Sequence, residues 1–293
     1  MNVLILKLGA TGDVVRTTPL LRAIPGDFTW ITAAKNRPLV EGVAPNLKTL
    51  AWEERHQAVP YEYDLVISLE DEPEVGAFLR DVRHRRVFGA YLDAQAVPRY
   101  TADASGWFDL SLISVHGRQR ADQLKARNRR TYQDHIFSGL GLTFSGEEYL
   151  LPETQPSDLR GDVAIAPEAG PVWPMKKWAY YDSLKQKLEA RGYGVNVLPA
   201  RPTLLEHLAD VRAHRVLVSG DSLPMHLALG SGLRCVSLFN CTSPWEIHEY
   251  GRLTKMISPL LDEFFYQRAF DPRATTAIAL DDVFEATLRQ LSS

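Results

Sequence analysis

Three short stretches combine residue types and spacings that could do chemistry. The first is Lys7-Leu-Gly-Ala-Thr-Gly-Asp13. Gly9 and Gly12 let the backbone turn tightly and approach a ligand closely, leaving main-chain N–H groups available to an anion at the start of the following helix. The spacing is G-x-x-G rather than the dinucleotide fingerprint G-x-G-x-x-G, and no acidic residue ends the second expected strand, which argues against a nicotinamide cofactor. Asp13 can be read as a helix cap or as a general base, the latter requiring hydrogen-bond reach of a substrate hydroxyl.

The second stretch, Ala166-Pro-Glu-Ala-Gly170 followed by Trp173-Pro-Met-Lys-Lys-Trp178, places small residues at a strand end and lysines between aromatic rings. A turn near Gly170 and a compact charge on Lys176 suit a diphosphate, although two tryptophans and two lysines can equally do no more than pack a helix start. The third stretch is Ser219-Gly-Asp-Ser-Leu-Pro-Met-His-Leu-Ala228. A helix capped by Asp221 or Ser222 and starting near Pro224 would present a positive dipole end to phosphate, with His226 in its first turn. His226 alone reads more naturally as a structural hydrogen-bonding residue than as a catalyst. Glu70-Asp-Glu72 could touch acceptor hydroxyls through Glu70 or stand as solvated loop carboxylates. No second acidic or histidine cluster accompanies it to hold a metal, so no metal ligands are assigned.

Alternating strands and helices must position these stretches. Residues 2–8 form an apolar run suited to a strand buried on both faces, and 14–24 read as a helix interrupted by Pro19. Strands are expected at 28–32, 47–52, 64–69 and 86–90, and a long helix over 123–140; 91–120 is weakly patterned. Residues 151–161, polar with two prolines and a glycine, read as a linker. Beyond it, strands at 163–166, 194–198, 215–219 and 233–239 alternate with helices at 178–191, 203–211 and 224–229, implying a parallel sheet. A helix over 281–291 closes the chain. Two α/β domains in series, 1–150 and 162–270, suggest a ligand in a cleft at the carboxyl ends of their strands.

The 293-residue chain has room for both domains, and 45% hydrophobic residues suffice for two cores. A net charge of −3 gives no electrostatic reason for nucleic-acid binding. Basic clusters at 80–86 and 127–130 read as solvated faces or as contacts to a phosphorylated acceptor or an anionic membrane surface. Cys235 lies in an apolar run as a core residue, and the two cysteines form no zinc or disulfide pattern. No signal peptide or stretch of 18 apolar residues is present, so a cytoplasmic location is expected.

Taken in order, these stretches resemble the heptosyltransferases of glycosyltransferase family 9, which act in lipopolysaccharide assembly. Residues 5–24 look like that family's opening strand, glycine turn and helix. Residues 63–69 resemble its fourth-strand region, 173–178 its lysine-containing loop and 220–228 its donor helix. Residues 239–244 resemble the loop after the next strand, and 276–283 its closing helix entry. The resemblance implies an α/β GT-B fold, with two Rossmann-like domains facing each other across a cleft. It also implies inverting, metal-independent transfer of a sugar from a nucleotide-diphosphate donor, with an ADP-sugar such as ADP-heptose favoured and no cofactor. It makes Asp13 the catalytic base and assigns Gly12, Gly170, Lys176, Asp221, Ser222 and His226 to the donor. Lys7, Thr11, Arg16 and Glu70 fall to a glycan, glycolipid or small-molecule acceptor. Residues 271–293 are expected to pack back on the N-terminal domain. The chain differs from the family at Leu223, where glycine is usual, and at Glu168, where small or hydroxylated residues are usual. The rival readings are a nucleotide-sugar epimerase of the same fold and a non-catalytic nucleotide-sugar-binding protein.

Overall fold

Side chains alternate across a strand, so an apolar run can be buried throughout only if the sheet is covered on both faces. The first strand, β1 (Asn2–Leu6), meets this condition. Val3 and Ile5 pack into one cluster with Val14, Leu20, Trp30 and Ile136, while Leu4 and Leu6 join Ile31, Val66, Phe78 and Leu79 on the other face. The computed structural model describes all of residues 1–293, and the chain divides into two units, Met1–Pro152 and Glu153–Ser293.

In the first unit β1 is followed by α1 (Thr11–Thr17) and α2 (Leu20–Ala23), with Pro19 at the N-cap of α2, so the expected interruption splits the helix in two. Then come β2 (Asp27–Thr32), β3 (Leu47–Ala51), the short β4 (Glu62–Tyr63), β5 (Leu65–Ser68), α3 (Pro73–Asp81), β6 (Arg83–His84), β7 (Val87–Leu92) and β8 (Pro98–Tyr100). The main sheet runs β3-β2-β1-β5-β7-β8, parallel except for β8 at its edge. The chain leaves β1 for one side of the sheet and returns on the other at β5, so a topological switch point lies at the carboxyl ends of β1 and β5.

The helix expected over 123–140 is two helices. After α4 (Ser105–Phe108) the chain forms α5 (Arg118–Arg127), breaks at Asn128, and restarts as α6 (Tyr132–Gly139). Thr131 caps α6 by accepting from the Asp134 N–H, and the Asp134 carboxylate accepts from the Thr131 N–H. This Thr-x-x-Asp box outweighs a helical periodicity that otherwise continues through the break.

The second unit contains β9 (Val163–Ala166), α7 (Tyr181–Glu189), β10 (Val195–Val197), α8 (Leu204–Arg212), β11 (Val216–Gly220), α9 (Leu223–Gly230), β12 (Arg234–Phe239) and β13 (Leu253–Ile257). Its sheet is wholly parallel, in the order β10-β9-β11-β12-β13, with a switch point between β9 and β11. The edge strand β13 was not expected. Half-buried along most of its length, it lacks the apolar run that marks a central strand.

The short helices α10 (Leu261–Phe264) and α11 (Pro272–Thr276) precede the closing helix α12 (Leu280–Ser292). Residues 271–293 fall within the second unit. Val283, Phe284, Ala286 and Leu291 of α12 enter the same core as Val163, Val218 and Val236. An apolar stripe one helix wide needs one covering surface, and the second unit's own sheet supplies it.

Candidate active-site residues

The residues singled out by the sequence gather at the two switch points. In the first unit, β1 delivers Lys7 to its carboxyl end and β5 delivers Glu70 beside it. One Glu70 oxygen, Oε1, accepts from Lys7 Nζ at 2.9 Å, from the Leu8 N–H at 2.6 Å and from the Gly9 N–H at 2.9 Å. Three donors on one oxygen is the arrangement of an ionised carboxylate. Burial pushes Glu70 above the usual carboxylate range, against the pull of Lys7 and the Gly9 N–H. For Lys7, burial opposes the charge, but Asp13 and Glu70 outweigh it and hold the ammonium above its ordinary value.

Asp13 does not cap its helix. The N-cap of α1 is Ala10, and Asp13 sits in the first turn with its N–H donating to the Ala10 carbonyl at 2.9 Å. Its carboxylate lies 3.0 Å from Arg16 Nε and 3.9 Å from Lys7 Nζ, and its side chain is 32% exposed. Both cations are buried, with side chains 7% and 8% exposed, so Asp13 is the solvent-facing member of a charged cluster. The Arg16 guanidinium lies 4.2 Å from the Tyr132 ring centroid and 5.3 Å from that of Trp107. The Tyr132 hydroxyl meets Thr17 Oγ1 at 2.7 Å, and Thr17 donates to the Asp13 carbonyl at 2.7 Å.

Lys7, Asp13, Arg16 and Glu70 are thus brought together. Thr11 turns away, donating to Asn36 Oδ1 at 2.8 Å, while Asn36 donates to the Leu8 carbonyl at 2.6 Å. Gly12 lies within α1 and not in the turn before it. Glu70, assigned from the sequence to an acceptor, turns Oε1 inward onto Lys7 and the glycine turn. Sequence reasoning missed Asn36, Trp107 and Tyr132, whose roles depend on contacts across 25 to 115 residues of chain.

In the second unit, the loop after β9 carries Lys176 and the end of β11 carries Asp221. Lys176 Nζ donates to the Asp221 carbonyl at 2.6 Å and to Oδ2 at 3.0 Å, and Thr242 Oγ1 donates to the same Oδ2 at 2.7 Å. Burial works against the Asp221 charge, but Lys176, His226 and Thr242 outweigh it and hold the carboxyl below its usual range. Asn240 ties down the lysine loop by donating to the Met175 and Lys177 carbonyls at 3.0 and 3.3 Å. A Cβ on Gly220 would come within 2.9 Å of the Lys176 carbonyl oxygen, so glycine is what allows the two loops to approach.

Ser222 occupies the N-cap of α9, but its hydroxyl donates to the Gly220 carbonyl at 3.3 Å and makes no capping bond. The expected cap by Asp221 or Ser222 is therefore absent, because the Asp221 carboxylate is drawn to Lys176. The α9 N-terminus is left without a side-chain acceptor. His226 is buried within α9, Gly170 is exposed in open space, and Glu168 pairs with Lys177 at 2.7 Å on the surface. Thr242 and Asn240 lie in the 239–244 loop noted in the sequence, where nothing distinguished them from ordinary loop residues.

A depression of about 560 Å³ lined by Glu153, Ser157, Asp158, Arg201 and Asp210 lies elsewhere. There Arg201 pairs with Asp158 and Asp210 while Ser157 donates to Asp210, and the depression is not at a switch point.

No protein-family model matches the sequence, and no curated protein does. Solved structures match in fold along almost the whole chain. A glycosyltransferase family 9 protein from Veillonella parvula DSM 2008 aligns over 99% of this chain and 97% of its own, with a TM-score of 0.66 at 15% identity. The E. coli heptosyltransferase WaaC with ADP aligns over 98% and 100%, with a TM-score of 0.62 at 18% identity. E. coli ADP-heptose lps heptosyltransferase II aligns over 100% of both chains, with a TM-score of 0.59 at 16% identity. The chain has the GT-B fold of these glycosyltransferases.

Proposed function

We propose that the chain is an inverting, metal-independent glycosyltransferase that moves a sugar from a nucleotide-diphosphate donor to an acceptor hydroxyl, with Asp13 as general base. The observation that carries this reading is the position of Asp13, a part-exposed carboxylate held against two buried cations at the switch point of its sheet. Such a carboxylate can accept a proton from an attacking hydroxyl while its surroundings stay fixed. The second unit supplies what a departing nucleoside diphosphate needs. Lys176 uses two of its three N–H donors on Asp221 and keeps one for a phosphate oxygen. The α9 N-terminus adds its dipole without a competing side-chain cap.

An ADP-sugar is the favoured donor, since the WaaC structure is of a complex with ADP. The acceptor is a glycan, a glycolipid or a small molecule that bears the attacking hydroxyl. Exposed Arg120, Arg127 and Arg130 on and after α5, with exposed Leu112 and Val115 in the segment before it, support peripheral contact with an anionic membrane, while Arg118 is paired with Asp122. The other basic cluster does not: Arg85 pairs with Glu62 and Asp64, and Arg86 with Asp103.

The test is to screen ADP-, GDP- and UDP-sugars by thermal shift and then assay transfer to glycolipid acceptors with the best donor. Asp13→Asn should leave donor binding intact and lower turnover by about 100-fold or more. Near-wild-type turnover of Asp13→Asn would overturn the assignment of the base. Donor conversion without acceptor would point to an epimerase, and binding without conversion to a non-catalytic binding protein.

A further inference from the structure

Lys7 stands between two carboxylates but does not share itself equally. Its Nζ is 2.9 Å from Glu70 and 3.9 Å from Asp13. The same Glu70 oxygen also takes the main-chain N–H groups of Leu8 and Gly9, so one side chain from the end of β5 fixes both the lysine and the turn leading to Asp13. Glu70 is itself buried, with its side chain 7% exposed, and Oε1 is taken up by these three donors.

We propose that Glu70 is a positioning residue that holds Lys7 off Asp13 and keeps that carboxylate available as a base. This inference rests on the proposed role of Asp13 and assigns Glu70 a task different from acceptor binding. Without Glu70, a buried ammonium has one strong acceptor left, and a shift of about 1 Å would bring it into full contact with Asp13. A carboxylate in full contact with an ammonium is a weaker base. The charged and titratable groups around this point are Lys7 from β1, Arg16 from α1, Tyr132 from α6, and Glu70, Asp71 and Glu72 after β5.

The experiment follows the titration of the Asp13 carboxyl by carbon-13 NMR, with the resonance identified by its loss in Asp13→Asn. In Glu70→Gln the midpoint should fall by about 0.5–1 pH unit. Glu70→Asp keeps the charge on a shorter arm and should move the midpoint the same way by less. Adding Lys7→Met to Glu70→Gln should carry it back above that of the single variant. Turnover of Glu70→Gln should drop about threefold with donor KM unchanged, and the acid limb of its pH profile should move down with the midpoint. An unmoved Asp13 midpoint in folded Glu70→Gln and Glu70→Asp would overturn the proposal, as would a loss of turnover with no change in that limb. If the wild-type chain transfers no sugar while the Asp13 midpoint still moves as described, the proposed function fails and the control of Asp13 by Glu70 stands.

Discussion

Replacing Lys176 with Met tests the electrostatics of the second unit without reference to any substrate. Lys176 is the principal counter-charge of Asp221, and their side chains are 16% and 14% exposed. Removing one partner of a fully buried ion pair costs about 3–5 kcal/mol. Residual exposure and the surviving Thr242 hydrogen bond reduce this, so about 2 kcal/mol is expected. For a unit of this size that is a fall in Tm of about 8 °C.

The pH dependence supplies the sharper check. In the wild type the Asp221 carboxyl is held low, so its contribution is present above the unfolded value and is lost as pH falls through the folded one. In Lys176→Met burial dominates and the folded value rises above the unfolded one. The deficit is then greatest near pH 8 and shrinks as pH falls toward about 5. Urea denaturation at several pH values reads this directly, and adding Asp221→Asn should recover most of the loss. A deficit that stays constant between pH 5 and 8, or a double variant no more stable than the single, would refute the reasoning.

Burial holds the His135 imidazole down to about 4, so the folded state refuses a proton that the unfolded chain accepts near 6.5. Stability should decline by about 3 kcal/mol as pH falls from 6.5 to 4, and His135→Gln should flatten that part of the pH–stability curve. Gly89→Ala should destabilise by about 2 kcal/mol or more, measured by urea denaturation, because φ is +104° and a Cβ would fall 2.0 Å from the Ser68 carbonyl oxygen. Thr131→Ala removes the α6 cap and should cost about 1 kcal/mol by the same measurement, with the loss confined to the first unit in hydrogen exchange.

Most of the fold could be read because its information is local. The runs at β1, β5, β9, β11 and β12 are apolar along nearly their whole length, as strands covered on both faces must be. Half-buried β13 gave no such signal, and the break between α5 and α6 was hidden because Thr131 and Asp134 fit a helical pattern as well as they fit a cap. The placement of α12 could not be read either. Its stripe shows that one face is covered, but which surface covers it is a matter of competition between whole sheets.

The same division holds at the candidate site. The glycine turn, Asp13, Lys176 and Asp221 could be picked out because their residue types and spacing are written along a few consecutive positions. Their partners could not. Glu70 lies 63 residues from Lys7, and Tyr132 lies 115 from Thr17; whether Glu70 faces solvent or the turn is set by how β1 and β5 align in the sheet. The sequence by itself determined which elements form and which residues stand at their ends, since propensity and periodicity act over a few residues. Only the tertiary structure decided which charges meet, because electrostatic pairing depends on separation in space and on burial, and neither is ordered along the chain.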